Sequence, residues 1–203
     1  RKSADYQAYL SRRASGWLQK VFRSTPEWMH LPFLLVYGIL RPMLPAALLA
    51  GGTPLWRAIA IWRSLGWTLL LSLLVYALVR LIQRQNWRAM PGAMFLVAWS
   101  ANLIASYRGG GDLWDNPRYR AMFTGLQVSL AAWAWVDHTK HPGPWLRRVL
   151  IGVGLVIAWL TPWYLQRYYP SFEWPIVDLF KTIALGLASA VLFLIWDWAR
   201  SQR

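Results

Sequence analysis

The stretch Arg108-Gly109-Gly110-Gly111-Asp112-Leu113-Trp114-Asp115-Asn116-Pro117-Arg118-Tyr119-Arg120 gathers residue types that do chemistry. Three guanidinium groups offer forked donors that suit phosphate or carboxylate. Three consecutive glycines let backbone approach a ligand closely and adopt positive φ. Asp112 and Asp115 are candidate catalytic groups, as a general base or as holders of a divalent cation. Arg108, Gly109, Gly110, Gly111, Arg118, Tyr119 and Arg120 form the candidate binding set for an anionic or pyrophosphate-linked substrate. The structural alternative is that Asp115 caps the helix after the Asn116-Pro117 turn. Arg118 and Arg120 would then pair with the two aspartates or with lipid phosphates. The string is neither a P-loop nor a dinucleotide fingerprint, so it implies no nucleotide.

Arg41 joins the candidate set as a charge inside an apolar run. Such a charge costs about 2.5–3.5 kcal/mol on insertion scales, so it seeks a phosphate, a carboxylate, water or freed carbonyls. Asp178 and Lys181, three apart, are expected to pair across one helical turn. Asn102 and Gln127 are expected to hydrogen-bond between helices. His30, His138 and His141 fall at run ends or in loops, which gives no support to ligation of haem or chlorophyll inside a bilayer. Beside Asp137, His138 and His141 read as a solvated loop rather than a metal site. No metal ligand is assigned. The absence of Cys excludes disulfides and thiolate chemistry. No Ser-His-Asp set or His-Glu-x-x-His motif is present.

The elements that must position these residues are apolar runs. Of the 203 residues, 57% are hydrophobic and 16 are Trp, above the apolar share of soluble domains. A span needs roughly 20 mostly apolar residues. Five runs qualify, at about 64–82, 91–107, 119–137, 148–165 and 175–198. A sixth, at about 29–50, carries Pro32, Pro42 and Pro45 around Arg41, as a kinked span or a re-entrant hairpin would. The expected fold is therefore all-α, a polytopic transmembrane bundle of about six spans over 26–203. Residues 1–25 read as a basic amphipathic helix at the membrane surface. Its apolar stripe includes Tyr6, Tyr9, Leu10, Trp17, Val21 and Phe22; the alternative is packing on a protein neighbour.

The net charge of +14 comes from Lys and Arg clustered between apolar runs, a loop pattern rather than a nucleic-acid surface. If all six runs cross, one side collects fourteen Lys and Arg and the other six. If 29–50 does not cross, the split is eight against twelve. The first arrangement has the cleaner bias. It places both termini in the cytoplasm of a bacterial-type inner membrane and Asp112 outside. Trp159, Trp163, Tyr164, Tyr168, Tyr169 and Trp174 suit an interfacial aromatic belt. Gly152, Gly154, Gly186 and Ala190 offer small faces for close helix contact. The chain opens Arg1-Lys2-Ser3 with neither an initiator Met nor a cleavable signal pattern, as a processed or partial chain would.

Three segments resemble large bacterial membrane proteins of surface-glycan assembly. They are Trp28 to Gly38, Arg41-Pro42-Met43-Leu44-Pro45, and Arg108 to Arg120. The resemblance is to multi-spanning, polyprenyl-phosphate-dependent glycosyltransferases and O-antigen polymerases of the cell envelope, and covers about the first 125 residues. It implies a sugar carried on a polyprenyl phosphate, handled at the outer face of the inner membrane. Glycosyltransferases of that type keep a catalytic acid in the first external loop, whereas here 51–63 holds Arg57 and Arg63 and no acid. The chain then corresponds to the C-terminal part of such an enzyme or to a relative. The other reading is a non-catalytic accessory subunit that meets membrane lipids and other membrane subunits. A transporter ranks below both, because no inverted repeat is evident.

Overall fold

The computed structural model describes residues 16–49, 52–109 and 121–201. Among them the chain is all-helical, with no strand. Eight helices follow in order: α1 Gly16–Ser24, α2 Glu27–Leu40, α3 Leu44–Leu49, α4 Pro54–Arg84, α5 Met90–Gly109, α6 Thr124–Lys140, α7 Trp145–Tyr168 and α8 Leu179–Ser201. A 3₁₀ turn, Asn86–Arg88, separates α4 from α5.

Three of these helices, α4, α7 and α8, are long and apolar enough to cross a membrane. The expectation of about six spans is not supported. The 29–50 run breaks after Leu40, where Arg41 is extended at φ −78° and ψ 146°. A residue before proline is pushed out of the helical region, and Pro42 follows. What remains is a 14-residue apolar helix and a six-residue one. α6 has 17 residues, at the short limit for crossing the bilayer core. α5 has 20 but dilutes its apolar character with Asn102, Ser106 and Arg108. α4 ends at Gln85, which takes a left-handed φ of 53° and stops the helix without glycine.

The chain divides into two compact units, with α6 split between them after Leu130. The first holds α1, α2, the 3₁₀ turn, α5 and the start of α6. Here α1 folds back so that Leu18 packs on Leu34 of α2, with Phe22, Phe33 and Tyr37 around them. Phe22 stacks on His30 at 4.6 Å, and His30 Nε2 lies 2.9 Å from the Thr25 carbonyl across the turn. Of the apolar stripe expected at a membrane surface, Val21 is buried and Phe22 packs against the Leu18–Leu34 pair. Tyr6, Tyr9 and Leu10 lie outside the described residues.

The second unit holds α3, α4, the rest of α6, α7 and α8. α7 and α8 pack antiparallel through small residues. A Cβ on Gly186 would meet Val156 Cα at 3.3 Å, and one on Gly152 would meet Ala190 Cβ at 3.8 Å. Gly154, expected to share this face, has open space around it. α3 caps the start of α4 and the end of α7: Arg57 donates to the Leu48 carbonyl at 2.6 Å, and Tyr164 donates its hydroxyl to Met43 Sδ at 3.1 Å. The start of α4 and the end of α7 therefore share one end of this unit. The C-terminal ends of α4 and α8 and the start of α7 share the other.

Candidate functional site

Most of the predicted site falls outside the described residues: Gly110, Gly111, Asp112, Asp115, Arg118, Tyr119 and Arg120. Arg108 is exposed in the last turn of α5, and Gly109 is that helix's last residue. Arg41 sits at the break after α2. Its backbone N–H caps the Tyr37 carbonyl at 3.1 Å, and its guanidinium lies 5.3 Å from the Tyr37 ring centroid. The charge that looked buried in a span is thus a helix-end residue seated on an aromatic face.

Charged chemistry among the described residues gathers instead at one end of the second unit, in two ion-pair clusters. In the first, Arg80, 6% exposed near the end of α4, faces Asp137 on α6. Arg80 Nε donates to Asp137 Oδ2 at 2.5 Å, and a second arm donates to the Asp137 carbonyl at 3.2 Å. Arg84 Nε and His141 Nδ1 approach the other carboxylate oxygen at 3.6 and 3.3 Å. Burial pushes the Asp137 carboxyl up. The Arg80 hydrogen bond and charge, with Arg84 and His141, outweigh that and hold it below the usual carboxylate value. Beside it, Tyr76 and His138 share a hydrogen bond of 2.9 Å.

The second cluster ties α7 to α8. Asp197, 6% exposed, is held from both sides by adjacent arginines. Arg148 Nε donates to Oδ2 at 2.7 Å and Arg147 to Oδ1 at 2.5 Å. Arg148 is itself 4% exposed and lies 5.0 Å from the Trp145 ring centroid. Sequence spacing missed both clusters because their partners sit far apart in the chain. The signal it did hold was four acids and arginines at apolar-run ends: Arg80, Asp137, Arg148 and Asp197.

The expected Asp178–Lys181 pair is replaced by a helix cap. Asp178 Oδ1 accepts from the backbone N–H of Phe180 at 2.7 Å and of Lys181 at 3.4 Å. Those orphan donors outcompete an exposed ammonium for the carboxylate. In the first unit the expected interhelical pair forms: Gln127 donates to Asn102 Oδ1 at 2.9 Å, with both side chains about 1% exposed. His138 and His141 are engaged with Tyr76 and Asp137, and no cluster of three metal-ligating side chains occurs among the described residues.

No protein-family model matches this chain, and no curated protein or solved structure is significantly similar to it.

Proposed function

We propose that this protein is a non-catalytic structural subunit of a larger membrane assembly. It sits in a bacterial-type inner membrane with the Arg80, Arg147, Arg148 and Arg200 ends of its spans in the cytoplasm. One observation carries the reading: among the described residues, the two acids drawn into ion pairs, Asp137 and Asp197, serve as locks between helices. Asp178 is spent on a helix cap, and Glu27 and Glu173 are exposed. What α4 and α8 present outward is apolar and rich in Trp, including Trp56, Trp62, Trp196 and Trp198. Such faces suit lipid and neighbouring spans. Basic residues at one end of the bundle support the orientation. Purification in mild detergent tests it: the chain is expected in fixed stoichiometry with a larger complex and without a bound sugar-lipid. A monodisperse, partner-free chain that turns over a glycolipid would overturn it.

A second reading keeps the glycan-assembly resemblance. Arg108 stands exposed where α5 meets the glycine run, so a polyprenyl-phosphate-linked sugar would meet Arg108, Arg118 and Arg120, with Asp112 or Asp115 as base or cation ligand. Replacing Arg118 and Arg120 together by Gln is expected to abolish binding of a polyprenyl phosphate; unchanged binding removes this reading.

A further inference from the structure

The α1–α2 hairpin of the first unit is two-sided. α1 packs Leu18 and Phe22 on α2 and carries Lys20 and Arg23, both exposed, on its opposite arc. α2 turns His30, Phe33, Leu34 and Tyr37 toward α1. Successive helical residues are about 100° apart, so Trp28, Leu31, Pro32, Leu35 and Val36 fall on the arc facing away from α1. Trp28 is 74% exposed, Val36 57% and Leu31 44%, and no charged or hydroxyl-bearing side chain interrupts them. Cations thus line one side of the hairpin and an apolar strip the other, with the Leu18–Leu34 contact between.

Three features choose what covers that strip. α2 has 14 residues and reaches about 21 Å, short of the roughly 30 Å hydrocarbon core, so it does not cross. A charge stands at each end, Glu27 at the start and Arg41 just past the last turn, so entry end-on would carry one of them into hydrocarbon. Pro32 has no N–H for the Trp28 carbonyl four residues back, which suits headgroup depth, where water reaches, rather than the hydrocarbon centre. A helix lying along the membrane surface meets all three conditions, with its apolar side buried about 5–10 Å and its polar side toward the headgroups.

We infer that α2 lies in the plane of the bilayer, its Trp28-to-Val36 strip in the acyl layer of one leaflet, while α1 rides above it with Lys20 and Arg23 among the headgroup phosphates. Charge complementarity argues for lipid as the occupant: cations and apolar surface are separated across the hairpin as phosphate and acyl chain are separated across a leaflet. The surface contact expected of Val21 and Phe22 is thereby moved one helix along, because those two side chains are spent on packing. The inference rests on the membrane placement in the proposed function and on neither reading of the protein's role.

The chain contains no Cys, so single cysteines can carry nitroxide labels without background. The variants are Trp28→Cys, Leu31→Cys and Val36→Cys on the strip, Lys20→Cys and Arg23→Cys on α1, and Leu69→Cys on α4, all at exposed side chains. The full chain is placed in vesicles of phosphatidylglycerol and phosphatidylcholine, and spin relaxation is read with oxygen, which concentrates among acyl chains, and with a water-soluble nickel chelate. Labels at 28, 31 and 36 are expected to respond several times more to oxygen than to nickel, and labels at 20 and 23 the reverse. Labels at 31 and 36, on either side of Trp28, are expected at one depth; a difference near 7.5 Å, about five residues of helix rise, means entry end-on and overturns the inference. Shielding of the strip from both reagents means a protein cover and overturns it too. Nickel preference on the strip with oxygen preference at Leu69 overturns the inference alone, whereas nickel preference at Leu69 as well overturns the membrane placement on which it rests.

Discussion

Arg148 and Asp197, 49 positions apart, meet at 2.7 Å in a setting where each is more than nine-tenths buried. The contact joins the first turn of α7 to the last turn of α8 and so sets the register of two antiparallel helices along their length. At the far end of the same pair, Trp163 Nε1 donates to the Val177 carbonyl at 3.0 Å; midway, Trp159 Nε1 donates to Ser189 Oγ at 2.9 Å. Polar fasteners at three heights hold two helices whose remaining contact is apolar and non-directional. A buried ion pair adds little net stability, because desolvation offsets its Coulomb gain. Its work here is positional.

Removing one partner of that pair should therefore cost far more than removing both. Asp197→Asn leaves Arg148 buried beside a neutral amide, and about 3–5 kcal/mol of stability is expected to go. Arg148→Met with Asp197→Leu is expected to recover most of that loss. Arg147→Gln alone, at an exposed side chain, is expected to shift stability by less than about 1 kcal/mol. Thermal unfolding in one detergent checks all three; equal losses from the single and the double replacement would refute the lock.

Acid should undo the other cluster. The Asp137 carboxyl titrates below its ordinary value of 3.8 because Arg80, Arg84 and His141 favour its charged form over the cost of burial. A depressed carboxylate contributes stability that is fully present above its unfolded-state value and fades as pH falls through the folded value. The α4–α6 contact is thus expected to hold unchanged from neutrality to about pH 4 and to weaken below it. Asp137→Asn should lower stability at neutral pH and flatten that acid limb. Melting temperature against pH for both proteins decides it; an acid limb that survives in Asp137→Asn would assign it to other carboxylates.

Small residues on α7 and α8 give a paired expectation. Gly186 faces the Val156 backbone, which cannot swing aside, whereas Gly154 faces open space. Gly186→Leu is expected to cost about 1–3 kcal/mol through overpacking. Gly154→Leu is expected to be neutral or mildly stabilising, since leucine is the better helix former. Thermal melting of the two variants side by side separates a packing effect from a general intolerance of bulk.

How much of this was legible beforehand follows the range of each interaction. Helical runs announce themselves through local composition, so 64–82 and 148–165 fall inside α4 and α7. The 175–198 run overlaps α8 but starts four residues early, because Asp178 caps that helix. Fewer spans than six are supported, for local reasons as well: Pro42 forces Arg41 out of the helix, and α6 starts at Thr124, five residues into its apolar run. The ion pairs were illegible because Arg80 and Asp137 are 57 positions apart, and helical spacing rules see only neighbours three or four away. The same rule misassigned Asp178, whose stronger claim is on backbone N–H groups at its own helix start. Asn102 and Gln127 were legible because an amide in an apolar run has few alternatives to another amide.

That amide pair yields the last expectation. Gln127 Nε2 donates to Asn102 Oδ1 at 2.9 Å, while Asn102 Nδ2 and Gln127 Oε1 have no hydrogen-bond partner among the described residues. Each amide therefore offsets only part of its own desolvation, and the pair holds α5 to α6 at a net cost that apolar packing would avoid. Asn102→Leu strands the Gln127 amide and is expected to lose about 1–3 kcal/mol. Gln127→Leu should do the same to Asn102. The double replacement removes every buried polar group of the pair and is expected to fall near the parent protein, so the two single losses should fail to add by most of their sum. Unfolding of the four proteins in one detergent measures that coupling; strictly additive losses would mean that the two amides do not act as a pair.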